Sequence, residues 1–139
     1  MLQPTIGQLE RDISQRIGSL YNQRLGKRPS QIICHFFDTE IVLSLENSVT
    51  QTEQTLLKEG YETLAEQVRL YLDKIIKPQL KTLIEEILGI PVIDLMTNTN
   101  LVTGRTGIIV VLKQLPEVRN PESIPKSNVK HLTDGDGGE

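Results

Sequence analysis

An apolar stripe at helical spacing runs from Leu64 to Leu88, with a proline in its middle. Leu64, Val68, Tyr71, Leu72, Ile75, Ile76, Leu80, Leu83, Ile84, Ile87 and Leu88 recur at steps that a helix gathers onto one side. Glu66, Arg69, Asp73, Lys77, Lys81 and Glu85 fall opposite and are expected to face solvent. The stripe is wide enough to predict burial on more than one side. Pro78 has no amide hydrogen and its ring crowds the preceding turn, so a kink is expected near Lys74 to Lys77. Gly89 supplies a C-terminal stop and Pro91 prevents continuation. A helix of this length needs a second layer to lie against, and the remaining segments supply one.

Ile6, Leu9, Ile13, Ile17, Leu20 and Leu25 predict an earlier helix from about Thr5 to Leu25, opened by a Thr5–Gln8 capping box and closed by Gly26. Gln31 to Phe37 is β-branched and aromatic, Asp38-Thr39 has turn chemistry, and Ile41, Leu43 and Leu45 then alternate with polar and exposed positions, which predicts a hairpin. Thr50 and Glu53 form a second capping box, opening a short helix from about Gln51 to Glu59. Val92 to Thr99 and Gly107 to Leu112 predict a second hairpin, and the nearly unbroken apolar run of its last strand suits a central position. The expected fold is α+β: a two-layer sandwich of a four-stranded, mainly antiparallel sheet with long amphipathic helices on one face, in the order α-β-β-α-α-β-β. Residues 1–115 form the expected single domain. Beyond Pro116 the apolar pattern lapses, and 116–139 are expected to be a disordered acidic tail.

The chain has 139 residues, a net charge of −3 and a pI near 5.5, ordinary for a folded domain and contrary to wholesale nucleic-acid binding. Cys34 is the single cysteine, which excludes an internal disulfide and a thiolate zinc cluster within one chain. Neither a leader-like start nor a membrane-spanning apolar run is evident, so a cytoplasmic protein is expected.

Cys34 and His35 are neighbours on a strand and point to opposite faces, so neither metal nor nucleophilic chemistry is expected of them. Asp38 reads as a turn former, and Asp94 as a solvent-facing residue or a partner for Arg105. Thr103, Gly104, Arg105 and Thr106 are the most distinctive local sequence: glycines around an arginine can present amides and a guanidinium to an anion or a partner, and a plain hairpin turn explains them equally. Arg24, Lys27 and Arg28 form a small basic patch, which Arg69, Lys74, Lys77 and Lys81 would enlarge if the fold brought them together. No catalytic residue, metal site or cofactor is expected.

Tyr21-Asn22-Gln23-Arg24-Leu25-Gly26-Lys27-Arg28-Pro29, Leu45-Glu46-Asn47-Ser48-Val49-Thr50-Gln51-Thr52-Glu53, Ile87-Leu88-Gly89-Ile90-Pro91-Val92-Ile93-Asp94 and Thr103-Gly104-Arg105 together resemble the MpsC-like family of small bacterial proteins over about residues 5 to 114. The resemblance implies association with a cation-linked membrane system that generates membrane potential and supports inorganic-carbon uptake. It carries over no catalytic residues. The expected function is a non-enzymatic accessory or regulatory interaction module, peripheral to the inner face of the membrane. Its expected partner is a protein such as a membrane transport component, with homodimer formation as a further expectation. Two alternatives stay open: a small-anion or ligand sensor using the 103–107 turn, and a nucleic-acid-binding protein using the basic patch.

Overall fold

The computed structural model describes residues 2–126. Three helices and four strands follow one another as α1 (Ile6–Leu25), β1 (Gln31–Phe37), β2 (Glu40–Glu46), α2 (Gln51–Lys58), α3 (Glu62–Leu88), β3 (Val92–Asn100) and β4 (Arg105–Leu112), in the expected α-β-β-α-α-β-β order. The sheet is antiparallel throughout, with spatial order β1-β2-β4-β3. Each hairpin pairs locally, and β2 against β4 joins them, which places the apolar β4 centrally. Both capping boxes form: Thr5 exchanges hydrogen bonds with Gln8, and Thr50 with Glu53. Gly26 and Gly89 adopt left-handed backbone where α1 and α3 stop, a conformation that other residues enter at a cost.

Helices α1 and α3 lie on one face of the sheet. Ile13 and Ile17 of α1, Ile76, Leu80 and Ile84 of α3, and Ile41, Leu43, Leu45, Ile108 and Val110 of the sheet form a continuous core. Burying such side chains contributes about 1.5–3 kcal/mol each. Helix α3 runs unbroken through Pro78, with the Gln79 side-chain amide donating to the Ile75 carbonyl one turn back.

Two expectations change. The first concerns which side of α3 is buried. Along its N-terminal half the row Ala65, Arg69, Asp73, Ile76 faces inward, while Leu64, Tyr71 (62% exposed) and Ile75 (51% exposed) of the apolar stripe face out. Arg69 and Asp73, expected in solvent, are inside because partners on α2 and β3 satisfy them. The second concerns residues 116–126, expected to be disordered. Val118 and Ile124 are buried in the core, Arg119 donates its amide to the Pro4 carbonyl, Asn120 accepts from the Ile6 amide, and Pro125 accepts from Asp38 at the β1–β2 turn. The segment is a strap without regular period, held by backbone hydrogen bonds and two apolar anchors. The remainder of the expected tail, 127–139, lies outside the described residues.

Candidate functional site

The polar centre of the molecule grows from the α2 capping box. Glu53 at the third helical position accepts from the Thr50 amide and hydroxyl, and the turn from α2 into α3 brings Arg69 alongside. Arg69 Nε donates to Glu53 Oε2 at 2.7 Å and Nη2 to Oε1 at 2.6 Å. Nη2 also donates to the Ser48 carbonyl, and Nη1 to Asp73 Oδ1 one helical turn on. Arg69 is 3% exposed and Glu53 0%, so a paired, hydrogen-bonded geometry is what makes these charges tolerable. Burial opposes ionisation of Glu53, but the hydrogen bonds from Arg69 and Thr50 outweigh it and hold the carboxyl below its usual range. For Asp73 burial prevails, raising the carboxyl above its usual range against the pull of Arg69 and Thr99.

A line of hydroxyls leads on from Asp73. Thr99 lies 3.3 Å from Asp73 Oδ2, Thr106 lies 2.7 Å from Thr99, Ser48 lies 2.7 Å from Thr106, and Ser48 donates to the Gly104 carbonyl at 3.0 Å. Three hydroxyl protons serve four links, so one link is unfilled while Asp73 is ionised and all are filled when it is protonated. The line ties α3, both strands of the second hairpin and the loop after β2 into one unit. It borders an open cleft of about 520 Å³ between α3 and the end of the β3–β4 hairpin, lined by Arg69, Asp73, Lys74, Lys77, Thr97 and Thr99 among others.

The residues singled out in the sequence divide between this network and the surface. Thr106 is inside it. Thr103 and Gly104 form the turn, but the amides of the turn are taken internally: those of Val102 and Thr103 by Asn100 Oδ1, that of Gly104 by the Asn100 carbonyl, and that of Arg105 by the Thr103 hydroxyl. Gly104 has φ +76°, and Arg105 reaches across the outer sheet face to Ser44 and Glu46 rather than to Asp94, whose carboxylate accepts from the Leu95 amide. An anion would therefore have to displace bonds already made. In the basic patch, the Arg28 guanidinium lies over Gly18 and reaches toward Ser19. Cys34 points inward, with burial pushing its thiol up to about 12. His35 points outward, 3.8 Å from Glu10.

The sequence reasoning missed Glu53, Arg69, Asp73, Ser48 and Thr99 as a group. The available signal was Ala65, a small residue four positions before Arg69, which marks the side of α3 that lies close to its neighbours.

Fold and polar core define a small two-layer α+β domain whose described helices are all too short or too polar to cross a membrane. Residues 5–114 match the family described as Na+-translocating membrane potential-generating system (MpsC), and the chain belongs to that family. No curated protein and no solved structure matches alongside it.

Proposed function

We propose that the protein is a non-enzymatic accessory module of a Na+-translocating membrane-potential-generating system, which docks from the cytoplasmic side onto a protein component of that system. The family supports the setting. The observation that carries the docking reading is the outward stripe on the N-terminal half of α3, where Leu64, Tyr71 and Ile75 lie exposed at seven- and four-residue steps, with half-buried Val68 between the first two, as along a helix-pairing seam. The partner that fits is a helix of a membrane component with an acidic flank, because Lys74 and Lys81 border the stripe and Lys74 stands 5.5 Å over the Tyr71 ring.

Affinity capture from detergent-solubilised membranes, with mass spectrometry of the bound fraction, tests it. The wild-type chain is expected to retain a component of the sodium-translocating system in fixed proportion, and the Leu64→Ser/Tyr71→Ser/Ile75→Ser chain to lose it with its fold intact by circular dichroism. Failure of the wild type to retain such a component, or equal retention by the variant, overturns the reading.

A further inference from the structure

The helices cover one face of the sheet, and among the described residues no helix lies on the other. Along its middle runs a row in register across all four strands, His35 on β1, Val42 on β2, Ile109 on β4 and Met96 on β3, all exposed and apolar but for His35. The rows on either side of it differ in size. Toward one end lie Ile33, Ser44, Gly107 and Asn98; toward the other lie Phe37, Glu40, Val111 and Asp94. Gly107 sits in the interior of β4 without a reason inside its own chain: its φ is not left-handed, and a Cβ built on it meets nothing within 4 Å. It lies in an open depression of about 440 Å³, lined by Val42, Met96 and Ile109 with Ser44 and Asn98 at its edge. A glycine inside a strand weakens the strand, and where it makes neither a bulge nor a bend it often marks a close approach of a ligand or another backbone.

We infer that this face binds a second copy of the same chain, sheet on sheet, about a two-fold axis along the Val42–Ile109–Met96 row. That axis keeps each strand over its counterpart and exchanges the two flanking rows, so small positions face large ones. Val111 of one copy seats in the Gly107 depression of the other. Phe37 lies over Ile33, and Asp94 reaches the Asn98 amide. Glu40 comes over Ser44, where the Arg105 guanidinium is already held at 2.6 Å, so opposite charges meet at the rim. The strands of the two sheets stay aligned, as in packed sandwiches. Four strands at about 4.8 Å spacing and seven residues at about 3.4 Å give a projected patch of about 450 Å². Over both copies that is about 900 Å², the size of a weak, transient contact, so the dimer dissociates on dilution. The interface leaves the α3 stripe free and stands independently of the proposed docking partner.

Sedimentation equilibrium of the full chain across a hundredfold concentration range tests it. The wild type is expected to move from one chain mass toward twice that mass. Gly107→Val, whose Cβ meets nothing inside the chain and which projects into the depression, is expected to remain monomeric throughout, with a urea midpoint no lower than that of the wild type. Adding Val111→Ala to Gly107→Val moves the large residue to the other row and is expected to restore the dimer. A wild type that stays monomeric overturns the inference. So does a dimer that survives Gly107→Val, including one that is instead lost on changing Tyr71 and Ile75. These readouts do not involve the membrane component, so either proposal can fail alone.

Discussion

Arg69 and Glu53 meet edge to edge, with two parallel N–H···O bonds of 2.7 and 2.6 Å, and together they join α2 to the N-terminal part of α3. The pair is nearly sealed from water and each member has further partners, so removing one leaves the other as an unpaired buried charge. Arg69→Met is expected to cost about 3–5 kcal/mol of unfolding free energy. Arg69→Met/Glu53→Met is expected to cost less than the two single changes added together. Urea unfolding of the four chains checks both.

The two carboxylates on Arg69 have opposite pH dependences. Glu53 is held below its ordinary value of 4.5, so its contribution is present above that value and lost as the pH falls through the lower folded value. Asp73 is raised above its ordinary value of 3.8, so its contribution is complete below that value and is lost as the pH rises through the higher folded one. The stability difference between Asp73→Asn and the wild type is therefore expected to shift in favour of the variant as pH rises from 3.8. The deficit of Glu53→Gln is expected to shrink in acid below 4.5. Urea midpoints measured from pH 3 to pH 8 read out both trends, the range being set at roughly one unit below and several above the ordinary carboxylate values.

Tyr21 is fully buried, and among the described residues its hydroxyl makes no hydrogen bond of good geometry, the Thr97 hydroxyl beside it being likewise unpaired. Burial, followed by the nearby Asp73 charge, pushes this phenol well above its usual range. Tyr21→Phe removes an unsatisfied polar group while keeping the ring, and is expected to leave stability unchanged or to raise it by about 1 kcal/mol. Thermal and urea unfolding measure it.

The strap over residues 116–126 is expected to behave as core. Ile124→Ala and Val118→Ala each remove a buried apolar side chain, with expected losses of about 2–4 and about 1–2 kcal/mol. Equal midpoints for variant and wild type in urea would show the strap to be peripheral.

The amides of residues 102–105 in the turn are already bonded, so inorganic phosphate and bicarbonate at millimolar levels, about 1–10 mM, are expected to leave the melting temperature unchanged. Arg105→Ala is expected to cost under about 1 kcal/mol, as befits an exposed pair with Glu46.

The elements were legible where local chemistry decides them. Thr5 with Gln8 and Thr50 with Glu53 announce helix starts, Gly26 and Gly89 announce ends, and Asp38-Thr39 announces the first hairpin, all as found. The MpsC membership was legible for the same reason, since its motifs are caps and turns. Arg69 was not, because helical periodicity reports which residues share a side and not which side is covered. On α3 the covered side carries Arg69 and Asp73, and the bare side carries Leu64, Tyr71 and Ile75. Charge alone assigned them the wrong way round, and the partners that reverse the assignment come from Glu53, Ser48 and Thr99, far away in sequence. The strap was hidden for a related reason: Val118 and Ile124 are anchors at irregular spacing, which no period detects.

The pairing of β2 with β4 bears on the order in which the molecule assembles. Each hairpin closes a short loop and can form early, whereas β2 finds β4 only after α2 and α3 have spanned the gap between them. Ser48 and Thr106, 58 positions apart, sit where that late seam closes. The residues of the hydroxyl line are therefore expected to gain amide protection later during refolding than those of the two hairpin turns, which pulsed hydrogen exchange measures.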